Sequence, residues 1–400
     1  MSKELSTRAT SATESQTLRI ASKAKAMKQQ GIDVISLSTG EPDFNTPDCA
    51  KRAAKEAIES NFTHYTDANG IYELRAAVAD KFRKENNISA STPETVLITS
   101  GAKQAIMNVL GAICNDGDEV IIPSPFWVSY PAMVTLSGGI PIIISAGIDQ
   151  HFKITPKQLS EALTPKTKCV IINSPNNPTG AMYTREELSE LADVLEKHDC
   201  YILSDEIYEK IIYGNIEHCS IGSFPKLAGR VLTVNGVSKA YAMTGWRVGF
   251  LQAPSDIMKE AAKVQGQTTS HPSSIAQIAS LSAVLDAAED VEKMRLSFVR
   301  RRELICSLLD EIPSVQYMKP DGSFYVFVDV SSALSNDVNS SSALCEMLLE
   351  KYHLALVPGE AFGIDGFVRI SFAASEDVIY KALDRFKRGI MDVLASKIPQ

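Results

Sequence analysis

Four hundred residues, 44% hydrophobic and 22% charged, are enough for one large or two medium cores of ordinary globular composition. A formal net charge of −8 leaves no basic footprint, which argues against a nucleic-acid partner. The 7 scattered cysteines and 6 histidines show no CxxC or HxxxH spacing, so no disulfide frame and no catalytic metal are expected, and the thiols suit a reducing cytoplasm; no uncharged apolar run is long enough for a membrane span.

The Ser/Thr-rich start, residues 1–16, reads as a mobile arm. Thr17–Gln30 has helical spacing and is stopped by Gly31; Val34–Ser38 is a short strand that leads into the turn-rich loop Gly40-Glu41-Pro42-Asp43-Phe44. Pro47–Glu59 and Tyr72–Glu85 read as amphipathic helices, with the polar loop Asn61–Gly70 carrying His64 and Tyr65 between them. From there the rhythm changes to short Val/Ile-rich runs: Thr95–Thr99, Glu119–Pro123, Pro141–Ser145, Cys169–Asn173, Tyr201–Ser204, Val231–Asn235 and Val248–Leu251. Near-continuous apolar strands separated by helix-length segments imply a mostly parallel sheet with helices on both faces, an α/β architecture. One such helix is Thr184–His198, opened by a Thr184/Glu187 capping box. Beyond Ser273 a helical region runs to about Asp310, broken near Asp286–Asp290; the strands Ser323–Val330, Leu354–Pro358 and Val368–Phe372 and a helix from Glu376 then suggest a separate α+β domain.

Ligands of an open parallel sheet bind beyond the carboxyl ends of its strands. Five of the predicted ends carry suitable groups. Thr95–Thr99 is followed by Ser100-Gly101-Ala102-Lys103, the start of a helix whose free amides can hold a phosphate. Glu119–Pro123 is followed by Trp127, a face for a flat ring, and Cys169–Asn173 by the rigid turn Ser174–Gly180 with Asn177. Tyr201–Ser204 ends at Asp205, with Tyr208 three residues on; Asp205 is either a helix cap or a carboxylate for a ring nitrogen. Val231–Asn235 leads to Lys239 and Arg247. Held between apolar segments, Lys239 loses solvation of its charged form, which favours the amine needed to attack an aldehyde, while Arg247 is a fixed fork suited to phosphate. The alternative is a surface Lys and Arg flanking a loop. Arg369 sits inside an apolar strand, where it needs either a structural ion pair or a bidentate carboxylate ligand.

The motifs GEPDF (Gly40–Phe44), SPNNPTG (Ser174–Gly180), SDEIYE (Ser204–Glu209), SKAYAMTGWRVG (Ser238–Gly249) and VRISFA (Val368–Ala373) resemble those of fold-type I pyridoxal phosphate enzymes of the class I aminotransferase family. The sequence is most similar to the bacterial aspartate aminotransferases of subgroup Ib, from Thr17 to the last helix. The resemblance implies a division into an N-terminal arm with part of the small domain (residues 1–47), a large cofactor domain with a seven-stranded sheet (48–298) and a small C-terminal domain (299–400), so that both chain ends build the small domain. It makes Lys239 the Schiff-base lysine and Asp205 the pyridinium partner, puts Asn177 and Tyr208 on the ring oxygen and Trp127 on the ring face, and surrounds the phosphate with Gly101, Ala102, Lys103, Ser238 and Arg247. Tyr65 would reach the phosphate of a second subunit, implying a homodimer with shared sites. Gly40, Trp127, Asn177 and Arg369 would meet the substrate. The loop Gln267–Ser274 lacks the arginine that the more familiar branch uses for a distal carboxylate, and Lys103 with Thr17 would serve instead, as in members that accept prephenate. Cis peptides are expected at Ser124-Pro125 and Asn177-Pro178. The implied reaction moves an amino group between aspartate or glutamate and 2-oxo acids. An aromatic or broad-range aminotransferase, a β-lyase or decarboxylase of the same fold, and a ligand-binding regulator without turnover are the alternatives.

Overall fold

The computed structural model describes residues 4–12 and 16–396. Its strands are β1 (Ile35–Ser36), β2 (Val96–Thr99), β3 (Glu119–Ser124), β4 (Ile140–Ser145), β5 (Thr167–Asn173), β6 (Tyr201–Asp205), β7 (Val231–Gly236), β8 (Gly249–Gln252), β9 (Gln316–Tyr317), β10 (Tyr325–Asp329), β11 (Leu354–Ala355), β12 (Val357–Pro358) and β13 (Phe367–Ser371). Seven of them form one sheet in the order β2-β8-β7-β6-β5-β3-β4. Only β8 runs against its neighbours, β2 and β7. The other six therefore end at the same edge.

The period-2 pleat of these strands sorts their side chains between two cores. Cys169, Ile171, Leu203, Leu232 and Val234 face helices Ala102–Ile113 and Ser255–Thr268, whereas Val170, Ile172 and Ile202 face helix Arg185–Glu196. That last helix starts as its sequence dictates. Thr184 Oγ1 accepts from Glu187 N at 3.2 Å and Glu187 Oε2 accepts from Thr184 N at 2.8 Å, and Leu188, Leu191 and Leu195 are buried on the sheet side.

A second, antiparallel sheet has the order β12-β13-β10-β9, and β1 pairs in parallel with β11. The run expected as one strand over 354–358 is in fact two, because the chain passes at Leu356 from pairing with β1 to pairing with β13. The strand expected over 34–38 shrinks for a related reason: Leu37 donates to the Ala355 carbonyl at 3.0 Å but accepts from Ser371 N–H, also at 3.0 Å, so the chain leaves the pairing with β11, and the Ser38 carbonyl is taken by Arg369. Helices Ser274–Asp286 and Ala288–Asp310 are separated at Ala287, inside the expected break, and residue 298 lies within the second of them. Of the arm expected over 1–16, residues 1–3 and 13–15 lie outside the described residues. Thr7–Ser11 are not free but form a short helix against helix Tyr130–Leu136, with Arg8 paired to Asp116 at 2.5 Å. No described helix is long and apolar enough to cross a membrane.

Leu191, 1% exposed, is a direct probe of the packing of helix on sheet. Leu191→Ala is expected to cost about 2–5 kcal/mol, whereas Thr184→Ala removes only a cap worth about 1 kcal/mol. Urea unfolding at unchanged slope should give that order.

Candidate active site

Where the six parallel strand ends meet the second sheet, a cavity of ≈ 510 Å³ opens. It is lined by Thr17, Gly40, Ala102, Lys103, Trp127, Asn177, Asp205, Tyr208, Ser238, Lys239, Arg247 and Arg369. Of the residues expected at the site, only Gly101 and Tyr65 are not on its wall. Gly101 is the N-cap of helix Ala102–Ile113, and its φ of +84° leaves room for Arg247: a Cβ there would stand 2.4 Å from Arg247 Nη2. Tyr65 is 91% exposed, edge-on to His271 at 5.6 Å between ring centroids.

Lys239 follows β7 and donates from Nζ to the Gly40 carbonyl at 2.5 Å. Burial, reinforced by Arg369, pushes its pKa down to about 8. Gly40 itself must lack a side chain, since a Cβ would lie 2.1 Å from Tyr325 Oη. At the end of β6, Asp205 accepts from Tyr130 Oη at 2.7 Å and from the Ile207 N–H at 3.2 Å. Burial pushes this carboxyl up to about 6 against the opposing effect of those two hydrogen bonds. Tyr208 Oη and Tyr325 Oη are 3.1 Å apart, and burial keeps the Tyr208 phenol well above its usual range.

Arg369 occupies the middle of the small sheet, opposite Phe327 on β10 and Val357 on β12. Its Nη1 donates to Asn177 Oδ1 at 2.9 Å and its Nη2 to the Ser38 carbonyl at 2.5 Å, while Nε has no acceptor. The guanidinium lies 4.4 Å from the Tyr325 ring centre and 5.0 Å from that of Phe362, flat apolar faces that suit a weakly hydrated cation. Lys103 Nζ is 5.0 Å from the Trp127 ring centre, and burial followed by Arg247 lowers its pKa. Thr17 Oγ1 is buried without a hydrogen-bond partner among the described residues.

Asn177 is aimed differently from expectation. The cis peptides are Ser124-Pro125, as expected, and Ser174-Pro175 in place of Asn177-Pro178. Asn177 is held instead by its N–H, which donates to Asn173 Oδ1 at 3.0 Å, within a turn closed by Gly180 N to Asn176 O at 3.0 Å. Tyr130 and Tyr325 were not anticipated. Tyr130 carried a usable signal, because it lies three residues past Trp127 at a helix start and so shares its face; Tyr325 carried none until the pairing of β10 with β13 was known.

Four cations, Lys103, Lys239, Arg247 and Arg369, thus share the wall with two carboxylates, Asp205 and Glu41. Among the described residues none of the four cations lies within ion-pair distance of a carboxylate. Such a cavity is electrostatically incomplete without anions.

The family of aminotransferases of class I and II matches residues 32–386. The chain belongs to that family. Among its relatives are an aspartate/prephenate aminotransferase of Cereibacter sphaeroides, 44% identical over 93% of this chain and 95% of its own, and an aspartate aminotransferase of Bacillus subtilis, 42% identical over 96% and 98%. An aspartate aminotransferase of Thermus thermophilus solved with maleate superposes with a TM-score of 0.92 at 42% identity, covering 97% of this chain and 100% of that one.

Class I aminotransferases use pyridoxal phosphate, and the residues of this aminotransferase fit it. Arg247, which bonds the Thr244 carbonyl and has no carboxylate partner among the described residues, suits a phosphate beside the helix N-terminus at Ala102, the buried Asp205 suits a cationic ring nitrogen, and Lys239 suits an aldehyde.

The lowered Lys239 pKa makes stability depend on pH. Below about 8 the fold holds an ammonium it disfavours; between that value and the unfolded 10.5 the unfolded chain binds more protons, so stability rises with pH. Cofactor-free Lys239→Met should therefore resist urea better than the parent at pH 7, and the gap should narrow as pH climbs from 8. A gap independent of pH would show that Lys239 is not desolvated.

Proposed function

We propose that this aminotransferase moves the amino group of aspartate and glutamate to 2-oxo acids, with prephenate as a further acceptor. The observation that carries the reading is Arg369, a guanidinium 2% exposed with an unused Nε on the wall that also bears Lys239. A substrate α-carboxylate, together with the Gly40 backbone, completes it. Lys103 then meets the distal carboxylate of a dicarboxylic substrate, with Thr17 Oγ1 beside it at the rim. The names of the relatives and the maleate, a dicarboxylate, bound by one of them support this class.

Bound in the cavity, pyridoxal phosphate supplies an aldehyde carbon for the amino group and a ring that draws electrons from the substrate α-carbon. Gly101, Ala102, Lys103, Ser238 and Arg247 hold the phosphate, Trp127 packs on the ring, and Asn177 and Tyr208 hydrogen-bond its oxygen. Asp205 keeps the proton on the ring nitrogen, itself fixed by Tyr130. Lys239 Nζ, whose affinity for a proton is reduced by burial, would take the proton from the substrate α-carbon and pass it to the carbon across the amino nitrogen, the one that enters as the cofactor's aldehyde. The oxo acid leaves by hydrolysis.

The exposed Tyr65 supports a homodimer in which it reaches the partner's phosphate. The seven free cysteines support a cytoplasmic setting. In this reading the chain divides into residues 1–47, 48–298 and 299–400, with helix Ala288–Asp310 spanning the second boundary.

Glutamate alone should release one equivalent of 2-oxoglutarate per subunit and stop, with turnover resuming when oxaloacetate is added. Failure to form 2-oxoglutarate, with continuous acceptor-free formation of pyruvate and ammonia from a β-substituted amino acid instead, would make the enzyme a lyase, and Lys239→Ala should release none. Lys103→Ala is expected to lower kcat/KM for aspartate by about 10–100-fold, the loss of a charge-assisted hydrogen bond of ~1.5–3 kcal/mol, while sparing alanine. Equal losses for both amino acids would confine Lys103 to the cofactor.

A further inference from the structure

Two glutamates of the Ser204–Glu209 motif lie outside the cavity, and the reaction above gives them no part. Glu206 is 1% exposed and Glu209 7%, and burial makes a charged carboxylate costly unless it is paired. Glu209 is paired. Lys81, from helix Tyr72–Glu85, contacts its Oε1, and Asn86 Nδ2 donates to its Oε2 at 2.6 Å. Although burial alone would raise it, Lys81, then His218 and Lys210, hold this carboxyl at about 2.

Glu206 is treated differently. Its Oε1 accepts from Ser204 Oγ at 2.8 Å and from Ser220 Oγ at 2.6 Å, and its Oε2 from Asn86 Nδ2 at 2.8 Å; all three donors are neutral. His218 Nε2 lies 3.7 Å from Oε2, beyond hydrogen-bond reach but within ion-pair distance for a protonated imidazole, and has no hydrogen-bond partner among the described residues. The nearby ammonium groups are engaged elsewhere, Lys81 with Glu209 and Glu85, and Lys210 with Glu85. No described Lys or Arg pairs with Glu206. Glu206, Glu209 and His218 are close enough to hold a divalent ion, within 4.8 Å of one another, but both Glu209 oxygens are taken by Lys81 and Asn86, so Lys81 is the cation of that cluster.

Glu206 also adjoins the cavity through its chain neighbour. Glu206 directly follows Asp205, its N–H donates to the Val234 carbonyl at 2.9 Å, and its side chain points away from the cavity that Asp205 lines. Burial is the main reason that Asp205 is pushed up to about 6, and Glu206 adds to the rise.

We propose that Glu206 is a positioning residue that acts through Asp205: its charge, with no lysine or arginine against it and only His218 within ion-pair distance, lies behind the strand end and strengthens the grip of the Asp205 carboxylate on the proton of the cofactor ring nitrogen. The inference rests on Asp205 being the partner of that nitrogen. Three donors that can each serve a neutral oxygen, with no lysine among them, are what such a role requires. They keep the carboxylate in place and leave its field intact.

The test is to load cofactor-free protein with pyridoxal phosphate labelled with ¹⁵N in the ring and to follow the nitrogen shift against pH in the parent, Glu206→Gln and Asp205→Asn. Glu206→Gln should lose the ring proton at a pH lower by about one unit, the size of a single like-charge effect, and bind the cofactor about tenfold more weakly at pH 8. A merely structural Glu206 would lower the melting temperature and leave the nitrogen titration in place, and that result overturns the proposal. If Asp205→Asn also titrates like the parent, the reading of Asp205 itself has failed; if only Asp205→Asn shifts, the failure belongs to Glu206 alone. Should Glu206→Gln not fold, His218→Lys puts a permanent cation beside Glu206 and must move the titration in the same direction. A stoichiometric divalent ion retained by the purified holoenzyme would neutralise Glu206 and overturn the proposal as well.

Discussion

Removing Arg369 from water without giving it a counter-ion is the constraint on which the rest of the site depends. A buried charge without a partner costs several kcal/mol in order of magnitude, and the fold meets that cost with neutral groups drawn from distant parts of the chain. Ser38 comes from the segment after β1, Asn177 from the turn after β5, Tyr325 from β10 and Phe362 from the turn before β13. These groups meet only if β1 pairs with β11 and β13 lies between β12 and β10. The small sheet is therefore a device for holding one cation at the mouth of the large one.

The same constraint explains the loop Gly40–Phe44. Its carbonyl at Gly40 accepts from Lys239, and Thr244 donates to Glu41 across the cavity wall. Asp43 takes both Nη atoms of Arg301, at 2.6 and 3.0 Å, while the Arg301 guanidinium is flanked by Phe44 and Phe298. A loop without regular structure is thus fixed at four of its five residues, and every contact named beyond Gly40 joins it to a residue more than 200 positions away. Gly40 belongs there because the approach of Tyr325 leaves no room for a Cβ, a packing reason independent of any bond to substrate.

Most of the large sheet was legible because its strands are buried on both faces and so appear as unbroken Val and Ile runs, and the ends of those runs were where the polar groups had to be. The residues expected at those ends reach the cavity wall, apart from Gly101 just behind it. What could not be read were contacts set by pairing or by tertiary approach. Tyr325 matters through the register of β10 against β13, Ser38 through a backbone carbonyl that has no sequence signature, and the split of 354–358 through a change of partner. Tyr65 differs again: it stands 91% exposed, edge-on to His271 and away from the cavity wall of its own chain.

Burial moves the two groups at the centre of the site in opposite directions, each toward its neutral form: Lys239 down to about 8 and Asp205 up to about 6. Between those values both remain charged, each held against its preference by the surrounding protein. A ligand that carries a cation to Asp205 and consumes the amine of Lys239 relieves both at once. The pocket thus contributes to cofactor affinity through the discomfort of its unliganded state as well as through contacts, and the same arrangement separates the group that must hold a proton from the group that must pass one on. The hydrogen bond from Tyr130 works against burial at Asp205 and keeps that carboxyl ionisable, so this buried phenol has an electrostatic task as definite as that of any other residue lining the cavity.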